Sequence, residues 1–362
     1  MQWLLNQLRK PIPLILAAGI AALVVTQLVI PHALAFMTRY DSDAEAATST
    51  LASMFPEEPK EPAFDEADYD RRMELLANYP STTPTTTERI WPVEGPYPKE
   101  GAILPFNRII AYYGNFYSTR MGVLGEYDEA TMLSMLRREQ DRWEAADPET
   151  PTVPAINYIA ITAQENPGRE GLFMLRMPDS EIDKALGIAR KLDNGIVILD
   201  IQIGFSTLER ELPLLETYLA MPDVHLGLDP EFHMIGDEPP GHVIGSYDAA
   251  DINYAIDYLA ALVREHDLPP KVLVIHRFTQ RMVTNYHLIK RVPEVQVVID
   301  MDGWGPPAKK INTYRHFVAP EPVQFTGFKI FYKNDLKPPS DRLLTPEDLL
   351  ELTPRPSFIQ YQ

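Results

Sequence analysis

The chain has 362 residues, with 51 acidic side chains against 33 basic ones and a formal net charge of −18. Such a surplus repels a phosphate backbone, so nucleic acid is not expected as a partner. There is no cysteine, which excludes disulfides, thiolate metal sites, cysteine nucleophiles and a lipidated N-terminal cysteine.

Residues 11–37 carry no charged side chain. About 20 apolar residues are enough to cross a bilayer core. Arg9 and Lys10 stand just before the run, and Asp41, Asp43 and Glu45 come after it with only Arg39 opposing. The positive-inside bias therefore predicts a cytoplasmic stub (1–10), a transmembrane signal anchor (11–37) and an extracytoplasmic remainder on a single-pass cell-membrane protein. Ala33-Leu34-Ala35 also has the small-x-small form of a signal-peptidase site, and cleavage there gives a secreted protein instead. Both readings export the rest of the chain.

Residues 38–104 lack sustained periodicity. They are acidic early (Glu57, Glu58, Glu61, Asp65, Glu66) and rich in proline and threonine later (Pro80 to Thr87). That composition buries little apolar surface and predicts an extended linker. It leaves room for a short helix over 71–77 and for 90–104 to wrap the floor of the C-terminal domain.

From 105 to 362 the pattern changes. Short β-branched or aromatic runs alternate with helix-like segments, the mark of βα units and a parallel sheet. The runs start at Arg108, Ile156, Gly195, Val224, Lys271, Val295, Phe325 and Pro356. Helices are predicted over 128–146, over 179–192 with Asp179-Ser-Glu181 as its cap, over 248–266, and after Thr345-Pro-Glu-Asp348, which reads as a capping box with proline at the first helical position. Eight such units in about 255 residues have the size of a (β/α)8 TIM barrel. The rival is an open doubly wound sheet, but no glycine-rich dinucleotide loop comes after the first run.

A barrel does its chemistry at the C-terminal ends of its strands, and the unusual polar residues of this chain fall there. Asp200 and Gln202 are two apart, as are Asp229 and Glu231, and Asp300 and Asp302, so each pair shares one face of a strand. His276, Lys329, Gln360, Tyr112, Tyr113, Asn115, Trp304 and Tyr332 stand at equivalent heights. Carboxylates crowded at one opening raise one another's pKa, so that one stays protonated while another stays ionised. Structural readings stand beside the functional ones. A strand-end Asp also serves as an N-cap, Asp302 before Gly303 as turn chemistry, His276 as a satisfied core histidine and Trp304 as packing. Lys329 is expected to pair with Asp200, Asp300 or Glu231, because a lysine in a buried strand needs a partner.

The run Arg108-Ile-Ile-Ala-Tyr-Tyr-Gly-Asn115 resembles the opening strand of chitinase-type glycoside hydrolase barrels, and Asp229-Pro-Glu231 resembles the Asp-x-Glu end of their catalytic strand. The resemblance implies Glu231 as general acid, with Asp229 orienting the substrate. It is incomplete: Gly227 and His225 stand where that family has further Asp residues, and Gln360 and Tyr361 where it has a tryptophan. As a whole, through Leu228-Asp-Pro-Glu-Phe232, Gly241-His-Val-Ile-Gly-Ser246, Gly327-Phe-Lys-Ile-Phe331 and Phe358-Ile-Gln-Tyr-Gln362, the chain resembles an uncharacterised family of secreted bacterial (β/α)8-barrel proteins, which implies fold and export but no activity.

The expectation is a cell-surface carbohydrate-active enzyme, a glycoside hydrolase acting on a glycan or cell-envelope polysaccharide. Its catalytic candidates are Glu231, Asp229, Asp200 and Asp300. Its substrate-binding candidates are Tyr112, Tyr113, Asn115, Gln202, His276, Asp302, Trp304, Lys329, Tyr332 and Gln360. No metal and no cofactor are expected. Two alternatives stay open: an inactive barrel that binds a glycan or envelope partner, and a metal-dependent hydrolase built on Asp229, Glu231, His233 and His276. The second lacks His-x-x-x-His or His-Glu-x-x-His spacing. A Schiff-base role for Lys329 is more remote.

Overall fold

The eight apolar runs become eight strands because each is buried on both faces, where β-branched residues pack well. In the computed structural model, which describes residues 64–80 and 89–362, they are β1 (Arg108–Gly114), β2 (Thr152–Ala163), β3 (Ile196–Ile201), β4 (Val224–Leu228), β5 (Lys271–Arg277), β6 (Val295–Met301), β7 (Phe325–Ile330) and β8 (Phe358–Tyr361). Each pairs in parallel with the next in chain order. The last returns to the first, Phe358 opposite Ile109. The sheet is closed, as the regular alternation predicts.

The covering helices are α1 (Glu66–Ala77), α2 (Glu129–Ala146), α3 (Asp179–Ala189), α4 (Ala249–Glu265), α5 (Pro307–Phe317) and α6 (Pro346–Leu350). Asp128 caps α2 through the backbone N–H of Thr131. Asp248 and Asp251 close a capping box on α4, and Thr345 and Asp348 close one on α6. The cap expected of Asp179 does not form. Pro178 takes the cap position without a side-chain bond, and Asp179 lies in the first turn, where a carboxylate favours the helix dipole. The alternation is also incomplete. Pro213 breaks the β3–β4 connection into short helical pieces. Among the described residues the β5–β6 connection holds no α-helix, only two 3-10 turns, Gln280–Met282 and Tyr286–Leu288, and a two-residue strand, Val283–Thr284, paired with Tyr247–Asp248.

The predicted linker is partly folded. The compact unit begins at Phe64, so a boundary at 105 falls inside it. Tyr69 and Met73 of α1, with Leu104, pack into one cluster with inward residues of the strands' N-terminal halves, among them Ile109, Val153, Val272 and Phe358. Gln296 holds the incoming chain through the backbone N–H groups of Ile103 and Leu104. Helix α1 thus closes the barrel floor. The anchor and signal-peptide readings fall on residues outside the described ones. Among the described residues no helix is long and apolar enough to cross a membrane.

Strand parity then sets what faces inward. Ile198 is followed two residues later by Asp200, Val274 by His276, Val298 by Asp300, and Phe358 by Gln360. The interior is therefore apolar near the floor and polar near the mouth.

Candidate functional site

A cavity of about 500 Å³ opens at the C-terminal ends of the strands. Gln202, Asp229, Glu231 and Phe232 line one side, and Asp302, Trp304, Lys309 and Thr313 another; Tyr113, Arg120, Phe278, Lys329 and Phe331 also contribute. Of the sequence candidates, Asp229, Glu231, Tyr113, Gln202, Asp302, Trp304 and Lys329 thus come together in one space.

Pro230 starts a 3-10 turn, Pro230–Phe232, which ends β4 and carries Glu231 into the cavity. Asp229 is both cap and site residue. Its Oδ1 accepts the Glu231 backbone N–H at 3.2 Å and its Oδ2 accepts Gln202 Nε2 at 3.0 Å. Burial, with Asp229 and Asp302 nearby, pushes the Glu231 carboxyl up to about 8 against the opposing pull of Lys329 and His276. Burial likewise pushes Asp229 up to about 7, although His276 pulls the other way. Desolvation disfavours the charged form, and a neighbouring acid adds to it.

Asp302 has the opposite fate. Lys329 Nζ lies 3.1 Å from its Oδ1 and His276 Nδ1 lies 3.2 Å from its Oδ2. Burial alone would raise this carboxyl, but the two cations hold it below the usual carboxylate range. The partner of Lys329 is therefore Asp302, not Asp200, Asp300 or Glu231. Asp302 continues the inward parity of Val298 and Asp300 past the end of β6, and this brings it to the height of Lys329 on β7. The ammonium also sits 3.8 Å from the Tyr113 ring centroid.

Asp200, Asp300, His276 and Gln360 are fully buried and form the layer beneath the cavity rather than its wall. They are removed from direct contact with a ligand, contrary to expectation. His276 Nε2 lies 3.1 Å from Asp200 Oδ2, and its Nδ1 lies 3.4 Å from Asp300 Oδ2. Burial would lower the imidazole, but three carboxylates hold it well above its ordinary value. The three carboxylates thus favour the imidazolium form. Burial also raises the Asp300 carboxyl, despite His276. Gln360 donates to Asn157 Oδ1 at 2.9 Å. Two glycines make room for this layer: Gly227 stands opposite Asp200 and Gly327 opposite Asp300. A Cβ there would come within 2.8 and 2.6 Å of a carboxylate oxygen.

Three candidates face elsewhere. Tyr113 points inward, so pleating turns Tyr112 out. Its hydroxyl meets that of Tyr332 at 2.9 Å, and Tyr332 donates to Glu139 of α2. This aromatic cluster, with Tyr361 and Trp143, fastens a helix to the barrel wall. Asn115 pins the loop after β1 by donating to the Ile159 carbonyl and accepting from the Tyr117 N–H. The metal-ligand set also fails to assemble. His233 Nδ1 lies 2.6 Å from the Ser246 carbonyl oxygen and its ring stacks on Tyr247, while His276 is ringed by Asp200, Asp300 and Asp302. Among the described residues no group of three or more His, Asp or Glu is arranged to hold a metal ion.

Sequence reading missed Phe278, Phe331, Arg120, Lys309 and Thr313. The first two were within reach, since each lies two residues beyond an inward-facing residue, His276 and Lys329. The others come from the β1 loop and from α5, where no strand period applies.

No family model matches the chain, and no curated protein matches it. Among solved structures it is similar to a crystal structure of Burkholderia cenocepacia dihydropteroate synthase complexed with 7,8-dihydropteroate, at 11% identity over 71% of this chain and 86% of that one, with a TM-score of 0.33. A likeness at that level says nothing about the site.

Proposed function

We propose that this protein hydrolyses glycosidic bonds at the mouth of its barrel, on the extracytoplasmic side of a membrane to which residues 11–37 tether it. One observation carries the reading: Glu231 and Asp302 line the same cavity, yet their surroundings push their protonation in opposite directions. Two acids of opposed pKa in one site are the usual division between proton donor and anionic partner. Glu231 delivers its proton to the glycosidic oxygen as the bond to the anomeric carbon breaks. Asp302, held ionised by Lys329 and His276, faces the developing positive charge and attacks it or directs water to it. Asp229 and Gln202 fix the start of the turn that aims Glu231. Phe232, Phe278 and Trp304 supply apolar surface for sugar rings.

The test is sugar release from neutral and acidic polysaccharides and from aryl glycosides, by wild type and by Glu231→Gln. The substitution keeps the shape and removes the transferable proton. Turnover of a substrate with a poor leaving group is expected to fall by roughly 10²-fold or more, with less effect on activated aryl glycosides. A wild type that binds glycans but releases no sugar is an inactive binding barrel, and a Gln variant with undiminished turnover rules out Glu231 as the acid.

A further inference from the structure

The chain carries a net charge of −18, yet its mouth holds cations without an acidic partner. Arg120 and Lys309 line the cavity, and no carboxylate among the described residues pairs with either. Lys337 stands nearby, also without an ion-pair partner among them. Both lysines are tied to one aromatic: Lys309 Nζ lies 5.2 Å and Lys337 Nζ 5.0 Å from the Trp304 ring centroid. Cation–π contact of this kind keeps an ammonium at a chosen place instead of loose in solvent.

The loop that carries Trp304 is itself anchored. Asp335 accepts the Gly305 backbone N–H at 2.9 Å and pairs with buried Lys310 at 2.7 Å, and Lys310 also donates to the Lys329 carbonyl. Gly305 has a φ of +142°, and a Cβ there would meet the Lys309 stem at 2.9 Å, so a glycine leaves that stem its path across the loop. Trp304 is 48% exposed. The cavity's own acids do not neutralise this rim. Asp302 is taken by Lys329, and burial favours the protonated forms of Asp229 and Glu231.

We propose that the ligand of this mouth is an acidic glycan, a sugar polymer bearing carboxylate or phosphate groups, whose anionic substituents meet Lys309, Lys337 and Arg120 beside Trp304. This rests on the reading of the mouth as a glycan site and adds the class of glycan. In an acidic protein, unpaired cations placed at the mouth attract there a polymer that the net charge of the chain otherwise repels.

The experiment is calorimetric titration of the full-length Glu231→Gln protein, so that cleavage does not consume the probe. The probes are an oligogalacturonate, a poly(glycerol phosphate), and neutral cello- and chito-oligosaccharides of similar length. At least one acidic probe is expected to bind about tenfold or more tighter than the neutral ones, and to weaken as salt is raised. The first two probes separate carboxylate from phosphate as the recognised group. Joint Lys309→Glu and Lys337→Glu substitution should weaken acidic binding by about tenfold or more. If that variant melts early, the joint Lys309→Gln and Lys337→Gln protein is used, with a smaller loss expected. Equal binding of neutral and acidic probes, no loss in the lysine variants, or no binding of either acidic probe overturns the proposal. The two readings fail separately. Acidic binding without sugar release by the wild type removes hydrolysis and leaves this assignment standing, whereas cleavage of neutral glycans with no acidic preference does the reverse.

Discussion

At the scale of single residues, the molecule turns on which acids reach the cavity and which are sealed below it. Glu231 keeps its proton to about pH 8, and Asp302 is ionised below the usual range. The proposed kcat/KM should therefore show an alkaline limb near pH 8 that disappears in Glu231→Gln, and an acid limb set by Asp302. Stability carries a matching signature. A carboxyl whose folded pKa is raised binds its proton more tightly in the native state, so its contribution is full below the ordinary Glu pKa and is lost as pH rises through about 8. Wild type should lose more stability than Glu231→Gln between pH 5 and 9 in urea denaturation, and parallel curves would contradict the raised pKa. Gly327→Ala tests the sealed layer. Its Cβ would meet Asp300 Oδ1 at 2.6 Å and Phe358 at 2.9 Å, and overpacking of this kind costs roughly 1–3 kcal/mol. An unchanged denaturation midpoint would mean that Asp300 has room to move.

At the scale of elements, each strand's period of two does most of the positioning, and loops and helices finish it. Helix α1 forms in the predicted linker where a short helix over 71–77 has room, and it starts earlier, at Glu66. Its moderate amphipathicity places Tyr69, Met73 and Ala77 on one buried face, and Asp65 caps it through the Asp68 N–H. The exposed floor of the barrel supplies the partner that a linker lacks. Met73→Ala is expected to destabilise the protein by about 2–4 kcal/mol, read from chemical denaturation. A loss within a few tenths of a kcal/mol would mean that the helix rests on the floor without closing it. The connection from β6 to α5 matters as much at the other end, because Lys310 and Asp335 fix from beneath the loop that presents Trp304.

At the scale of the whole molecule, the barrel divides along its axis. The floor half is an apolar core stabilised by burial. The mouth half holds Asp200, His276, Asp300, Asp302 and Lys329, charges that cost desolvation and are matched against one another instead. Asp200 Oδ1 and both oxygens of Asp300 have no hydrogen-bond partner among the described residues. A fold selected for stability alone would fill those positions with Val or Leu. The charged layer fixes the state of Asp302, one of the three acids that line the cavity.

The sequence by itself determined the barrel and its strand order, because eight buried runs separated by helix signals admit few other closures. It also determined that Asp200, Asp229, Asp300 and Asp302 share the inward face, since pleating is local. The same rule shows that Tyr112 and Tyr113 have opposite faces, so offering both as ligands to one mouth exceeded what a strand permits. Only the tertiary structure decided the depth of each residue along the axis. Depth depends on the stagger between neighbouring strands, which is set by packing around the whole barrel and leaves no periodic trace in one strand. It sealed Asp200, Asp300, His276 and Gln360 under the cavity, gave Lys329 to Asp302, and brought Arg120 and Lys309, 189 residues apart in the chain, to one opening.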